Sequence, residues 1–480
     1  MILDYKKIGS ITSLTSGVSW NSSKMEQEVT KRASFLISQN ISSEDKIVIF
    51  HGGEPEFFAD LFSIWSIGAC AICLNPKTTI NEFKNIYEFV NPAAILVIDK
   101  SLEELGDSYN IFDLSKIENV ETKSDNSKDI SINNDALILF TSGTTGIPKG
   151  VVHSYKSLAA RLRHNLENIP KDNLENSLCL LPMHFGHGLI GNCLTPLASE
   201  QNLFVASGND LKNISSLGDI IDTYEISFLS SVPSLWKLIF KLSKKPIKKT
   251  LKRIHVGSAP LSKQVWNNIA TWSSMNNVVN MYGITETANW ISGASSDEYE
   301  PQDGLIGKMW GGAAYVLGDD GKINKSGKGV ILLDTPSQMK GYFKLDNITD
   351  EFMHDKLFIT GDIGTIDEDG TITITGREKF EINRAGMKIN PEDLDLLLEG
   401  HDSVDEACAF AIKDELFGEV PGIAIKINDK IKERELKAWC ATKIIAEKIP
   451  SKWFVVDEIP KNDRGKVDRL LVAKRCLNEN

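Results

Sequence analysis

The chain has 480 residues, 41% hydrophobic and 25% charged, a composition that buries large cores and divides into more than one domain. A formal net charge of −12 excludes a general affinity for nucleic acid or an anionic membrane, since phosphate-rich partners need a basic field. No uninterrupted apolar stretch reaches the ~18 residues of a membrane span, the opening MILDYKKIGS lacks a signal-peptide core, and seven scattered cysteines fit reduced thiols, so a cytoplasmic protein is expected.

In chain order, KMEQEVTKRASFLISQN from Lys24 has the spacing of an amphipathic helix, KIVIF from Lys46 reads as a strand, and a long apolar helix runs through Trp65. Cys70 and Cys73 form a CxxC inside the strand-like run GACAICLNP. With no second pair to complete a zinc site, they read as small buried hydrophobes. Further strands are expected at 94–98, 136–140, 177–181, 203–206, 228–230, 253–256 and 278–281, with helical stretches between most of them. Such alternation makes mostly parallel sheets, which bind ligands where loops leave the carboxyl ends of the strands. Between Lys237 and Arg253 eight residues are Lys or Arg and none is acidic, either a solvated helix face or a docking patch for an acidic carrier protein or a nucleotide phosphate.

From about Gly307 to Thr375 the texture changes to short strands and Gly/Asp turns, as in DEDGTITITG, which suggests a small antiparallel subdomain. After Gly376-Arg377 a compact α/β alternation returns, joined by a tight hinge without a Pro- or Gly-rich linker. The expected fold is therefore α/β. A large N-terminal domain, residues 1–377, holds layered β-α subdomains and the small antiparallel β subdomain, and a small mobile C-terminal α/β domain occupies 378–480.

The most specialised stretch is DALILFTSGTTGIPKGVV, Asp135–Val152, where an apolar run empties into a loop of three glycines, four hydroxyls, one proline and one lysine. Glycines such as Gly143 let the backbone approach an anion. The hydroxyls of Thr141, Ser142, Thr144 and Thr145 can donate to it, and Lys149 adds positive charge. A flexible linker has a similar composition. The Walker A spacing fails, because Gly150 stands where a Ser or Thr would hold magnesium.

TSGTTGIPKG resembles the nucleotide-binding loop of the adenylate-forming superfamily, which includes acyl-CoA synthetases, acyl-carrier-protein ligases, peptide-synthetase adenylation domains and firefly luciferase. Other segments resemble that family in the same order, from about residue 24 to 470. LPMHFGHGL, Leu181–Leu189, is similar to its LPLFHxxGL region, which lines the carboxylate pocket, with Phe185 where histidine is common and His184 and His187 on either side. This HxxH also invites a metal reading, but no third ligand or helical HExxH context accompanies it. Domains that adenylate α-amino acids resemble FDxS here, the aspartate pairing the substrate ammonium. Gly186 follows Phe185 in this chain, and an unpaired buried ammonium is costly. Pyrophosphate exchange driven by α-amino acids is therefore expected at background, and robust exchange would refute that expectation.

IHVGSAPLS resembles the GGAPLS segment, which implies that Gly257, Ser258 and Ala259 pack beside adenine and the acyl group. NMYGITET is similar to YGxTE: Tyr282 would stack on the purine beside Gly283, Thr285 would contact the α-phosphate, Glu286 would ligate magnesium, and Asn289 would line the acyl pocket. A helix-capping threonine followed by glutamate is the plainer alternative. Asp362, in a TGD segment, would accept the ribose hydroxyls, and Arg377 would hold ribose or phosphate. Lys379 falls at the family's hinge position and Gly386 at a tight turn near the pantetheine channel, while Val330 stands where the family often has Glu. IPKNDRGKVDR resembles the C-terminal PxxxxGKxxR signature and implies that Lys466 stabilises charge developing on the α-phosphate.

The resemblance implies a ligase that uses ATP and Mg2+ to convert a small carboxylic acid to an acyl-adenylate, releasing pyrophosphate. A thiol, from coenzyme A or from the phosphopantetheine of an acyl carrier protein, then attacks. His184, His187, Ser258 and Asn289 suit a short or functionalised acid better than a long fatty chain. A catalytically silent nucleotide-binding homologue is the alternative that Lys149, Glu286, Asp362, Arg377 and Lys466, present together, speak against, while an oxidative enzyme of the luciferase kind shares all of these residues.

Overall fold

Apolar runs of four to seven residues bounded by turn signals become the strands of two large sheets. The computed structural model describes residues 2–98, 109–117, 130–141, 149–206, 211–259, 261–318, 320–377, 382–389, 391–427, 431–460, 467 and 469–477. By contacts the chain forms two units. One holds residues 1–76, 90–139 and 150–376, the other 77–89, 140–149 and 377–480.

A seven-stranded sheet runs in the order 341–342, 149–154, 135–141, 70–73, 46–49, 94–96 and 111–112. Its central strands are parallel, in register Lys46 with Cys70 and Ile47 with Ala94. The helices Ser22–Ser38 and Pro55–Ser66 belong to this layer. The second is apolar on nearly every side, and its Trp65 indole donates to Ala136 O at 2.7 Å. Cys70 and Cys73 are fully buried free thiols, and burial pushes both well above the usual thiol range. They pack as hydrophobes.

The second sheet has fifteen strands. Asn202–Val205, Asn176–Cys179, Phe228–Ser231, Arg253–Gly257 and Val278–Ile284 lie parallel and side by side, each sheathed by helices such as Pro233–Leu242 and Lys263–Ser273. At Val278–Ile284 the direction reverses: Asn289–Ser295 pairs with it antiparallel, Leu305–Met309 follows, and the remaining strands to 377 are antiparallel wherever their register is described. The antiparallel segment expected from the Gly/Asp texture is thus present, and it continues the parallel sheet rather than standing apart.

The second unit has its own five-stranded sheet, in which Gly418–Ile427 is central and Val404–Asp414 is its long antiparallel partner. Helices Pro391–Glu399 and Arg469–Leu477 flank it, tied by Arg469 Nη2 donating to Asp395 Oδ2 at 2.7 Å. Burial raises the Asp395 carboxyl to about 6 despite that partner. Among the described residues no helix is long and apolar enough to cross a membrane.

Candidate active site

The site candidates in the first unit gather where parallel strands of the larger sheet end. Val278–Ile284 runs directly into a 3-10 turn, Thr285–Thr287, and then into two consecutive left-handed residues, Ala288 (φ 56) and Asn289 (φ 82). The reversal needs Gly283, because a Cβ there would stand 2.2 Å from Asn289 O. Three donors from two distant segments then hold the turn by its carbonyls. His153 Nε2–H donates to Thr285 O at 2.8 Å, Met339 N–H to Glu286 O at 2.7 Å, and Ser337 Oγ–H to Thr287 O at 2.9 Å. The Glu286 side chain is fixed as well, with Tyr342 OH donating to Oε1 at 2.8 Å.

Behind the turn lies Arg161, fully buried on the helix Tyr155–Asn168. Its five N–H groups make five hydrogen bonds: Nε and Nη2 to Ser337 Oγ at 3.1 and 2.7 Å, Nη2 to Thr335 Oγ1 at 3.3 Å, and Nη1 to Trp310 O at 3.1 Å and to Trp290 O. Every acceptor is neutral. Burial therefore lowers the guanidinium to about 9 with no carboxylate to oppose it.

Tyr282 and Asp362 come together from different strands: Tyr282 OH donates to Asp362 Oδ2 at 2.5 Å, and the carboxylate is buried on Leu357–Ile366. The pairing puts a phenol ring beside a carboxylate, one flat face and one double acceptor. His184 packs its ring 4.2 Å from that of Phe185. His187 is buried with both nitrogens engaged, Nδ1 with Ser258 Oγ and Nε2 with Ser230 Oγ, each at 2.7 Å. Ser258 itself is left-handed (φ 66), just after Gly257, where a Cβ would meet Met281 O at 2.8 Å. Ala259 follows at the end of this described stretch. Among the described residues no group of three His, Cys, Asp or Glu gathers to hold a metal.

His187 opens an eight-residue π-helix, His187–Leu194, that no period in HGLIGNCL announces. The wider turn lays Gly191 against Asn289 and Trp290. Serine 230, in the apolar strand FLSS, likewise has no local mark of its role.

Other expected residues fall elsewhere. Thr141 closes its strand and Lys149, buried, opens the next, Thr141 Oγ1 donating to Lys149 O at 3.4 Å. Ser142, Gly143, Thr144, Thr145, Lys379 and Lys466 lie outside the described residues, and of Arg377 only the strand position is described. Gly386 sits in the second unit at φ 89, its N–H donating to Asn383 Oδ1. The basic run 237–253 leads to the N-terminal end of Arg253–Gly257. There Lys248 pairs with Glu225 at 3.0 Å, Lys252 pairs with Glu175 at 3.2 Å, and Asp222 accepts from the N–H groups of Ile247 and Lys248. Gly257 and Ser258 are at the other end of that strand, roughly 15 Å away at ~3.3 Å per residue.

Burial sets a pH limit on this assembly. His153 is lowered to about 4 and His187 to about 3, both by desolvation, so both are neutral at pH 7. In the unfolded chain they protonate near 6.5. The stability they supply is complete above that value and is lost as pH falls through it toward the folded values. Chemical denaturation at pH 5 should give an unfolding free energy about 4 kcal/mol below that at pH 7 from these two residues. A flat profile between the two would show that both sites are solvated.

The family described as AMP-binding enzyme matches over residues 8–343, and the AMP-binding enzyme C-terminal domain over residues 395–466. Oxalate–CoA ligase of Arabidopsis thaliana is 29% identical over 352 residues, covering 72% of this chain and 68% of that one. 2-Succinylbenzoate–CoA ligase of Listeria innocua is 25% identical over 452 residues, covering 94% and 93%. Among solved structures, a double mutant of o-succinylbenzoate CoA synthetase from Bacillus subtilis superposes with a TM-score of 0.88 at 20% identity, covering 98% and 96%. That likeness extends the α/β architecture, a large N-terminal part and a small C-terminal one, to both proteins.

Proposed function

The chain belongs to the AMP-binding enzymes, and from that premise we propose that it activates a small carboxylic acid with ATP to an acyl-adenylate, releases pyrophosphate, and transfers the acyl group to the thiol of coenzyme A. The observation behind the residue roles is the pairing of Tyr282 with Asp362 beside the pinned turn Thr285–Thr287. In this reading the Tyr282 ring stacks on the purine and Asp362, already oriented by the Tyr282 hydroxyl, accepts the ribose hydroxyls. Thr285 meets the α-phosphate at the end of the same strand.

Glu286 offers a hard oxygen donor held in place by Tyr342, which fits Mg2+ with phosphate oxygens and water filling the rest of the shell. The ion would neutralise charge on the phosphates as pyrophosphate leaves. Lys149 and the hydroxyls of its loop add donors to the phosphates, Arg377 holds ribose or phosphate, Lys379 serves as the hinge, and Lys466 meets the charge that grows when the carboxylate attacks. His187, neutral and tied to two serines, forms a wall of the acyl site rather than a base.

Coenzyme A is favoured over a carrier protein as acceptor. Two lysines of the basic run that would suit an acidic carrier, Lys248 and Lys252, are paired with Glu225 and Glu175, at the N-terminal ends of the parallel strands and away from Ser258. A reducing compartment, the cytoplasm, suits seven free cysteines of which six are buried. The test incubates the protein with Mg2+, ATP, coenzyme A and a panel of short acids, and follows AMP and the thioester. Acid-dependent formation of both supports the reading. AMP without thioester, with transfer to a phosphopantetheinyl carrier instead, would replace the acceptor, and no AMP with any acid would overturn the assignment.

A further inference from the structure

Buried polar groups nearly always find hydrogen-bond partners, so those left over mark a demand that the fold does not meet by itself. Three such N–H groups adjoin the π-helix. The Trp290 indole Nε1 and Asn289 Nδ2 are buried without a partner among the described residues. His255 Nε2 accepts from Arg253 Nε at 2.8 Å, which leaves the ring proton on Nδ1, also buried and without a partner there. The three residues are 1%, 6% and 0% exposed.

They are neighbours. The His255 and Trp290 ring centroids are 4.5 Å apart. A Cβ on Gly191 would stand 2.3 Å from Asn289 Nδ2 and 2.8 Å from Trp290 Cε2, so both groups rest on the same bare glycine. At Gly186 a Cβ would meet Leu139, Asn289 and Ile190 only at ordinary contact, 3.6 to 4.0 Å. A methyl-sized group therefore fits against this face of Asn289 without displacing a neighbour. These three groups are donors, and the Arg253 guanidinium donates to the far side of the His255 ring.

We propose that Asn289, Trp290 and His255 determine acid specificity, selecting a short acid whose far end carries a carbonyl oxygen, as ketone or second carboxylate, over an apolar acid of the same shape. The inference rests on the ligase reading above. An acyl chain ending in carbon leaves the three donors unpaired in the closed site. A carbonyl oxygen accepts from them, and a site built on hydrogen bonds rejects the analogue that lacks the acceptor far more strongly than an apolar pocket rejects an extra methyl.

The test compares 4-oxopentanoate, succinate and the apolar isostere 4-methylpentanoate in ATP–pyrophosphate exchange on the full chain, with Asn289→Asp and Trp290→Phe as variants. Either acceptor-bearing acid should exceed the isostere by about 100-fold in kcat/KM. Asn289→Asp, which replaces donors by an acceptor in the same shape, should cut that preference at least ~10-fold. A preference for succinate alone identifies a carboxylate end, and for 4-oxopentanoate a ketone. If 4-methylpentanoate drives exchange as well as both, the specificity inference is overturned and the ligase reading stands. Exchange with no acid, acetate included, removes the ligase reading and this inference together. Should the variants fail to fold, the three acids on the unmodified protein decide the matter.

Discussion

Lys466→Ala should lower acid-dependent ATP–pyrophosphate exchange by roughly 10²-fold or more, as expected when a positioned charge stabiliser is removed from a developing anion. The role comes from the GKxxR-like segment, Gly465 to Arg469. Attack of a carboxylate on the α-phosphorus accumulates negative charge, and an ammonium fixed beside it lowers that barrier without binding the ground state more tightly. The effect should therefore fall on kcat. Thioester formation from pre-formed acyl-adenylate builds its charge elsewhere and should be nearly unchanged. Equal losses in both half-reactions would mean that the substitution disrupts the fold, and no loss in either would remove Lys466 from the mechanism.

Arg161→Leu should cost about 3–5 kcal/mol of stability, because four buried neutral acceptors lose their donors at roughly 1 kcal/mol or more each. All five guanidinium N–H groups are used, and the hydroxyls of Ser337 and Thr335 and the carbonyls of Trp290 and Trp310 lose their donors together. Arg161→Lys keeps the charge, but a lysine has three donors on a single nitrogen and cannot reproduce the planar fork, so it should recover only part of the loss. Denaturant unfolding measures both. A loss under ~1 kcal/mol for the leucine variant would show that the network repacks around an apolar side chain, as some buried ionic clusters do.

The architecture was legible because most strands are short apolar runs between turn signals. Phe228–Ser231, Arg253–Gly257 and Val278–Ile284 lie within a few residues of where the sequence puts them. Whether the Gly/Asp-rich strands after Gly307 form their own sheet is a matter of which edge they pair with, and Ser292 meeting Met309 is a contact that no local pattern encodes. The site divides in the same way. Tyr282, Glu286 and Asp362 sit in motifs that can be read in a line of text. Arg161, His153 and Tyr342 cannot, since each matters only through a partner more than 50 positions away. Arg161 left one faint mark, a charged residue on the apolar face of its helix beside Leu158 and Leu162. His187 reads as a polar pocket residue and its partner Ser258 lies in a motif, but the other partner, Ser230, comes from a strand whose sequence looks like ordinary core.

The turn Thr285–Thr287 is tied to a histidine 132 positions earlier and a serine 50 positions later. Loops of that length close slowly, and local helices and hairpins form first. On refolding, far-UV circular dichroism should therefore recover ahead of catalysis, because this three-residue turn waits for distant parts of the chain to meet. A ribosome-bound fragment ending before Ser337 would likewise carry the Tyr282–Glu286 motif without two of the three ties that orient it.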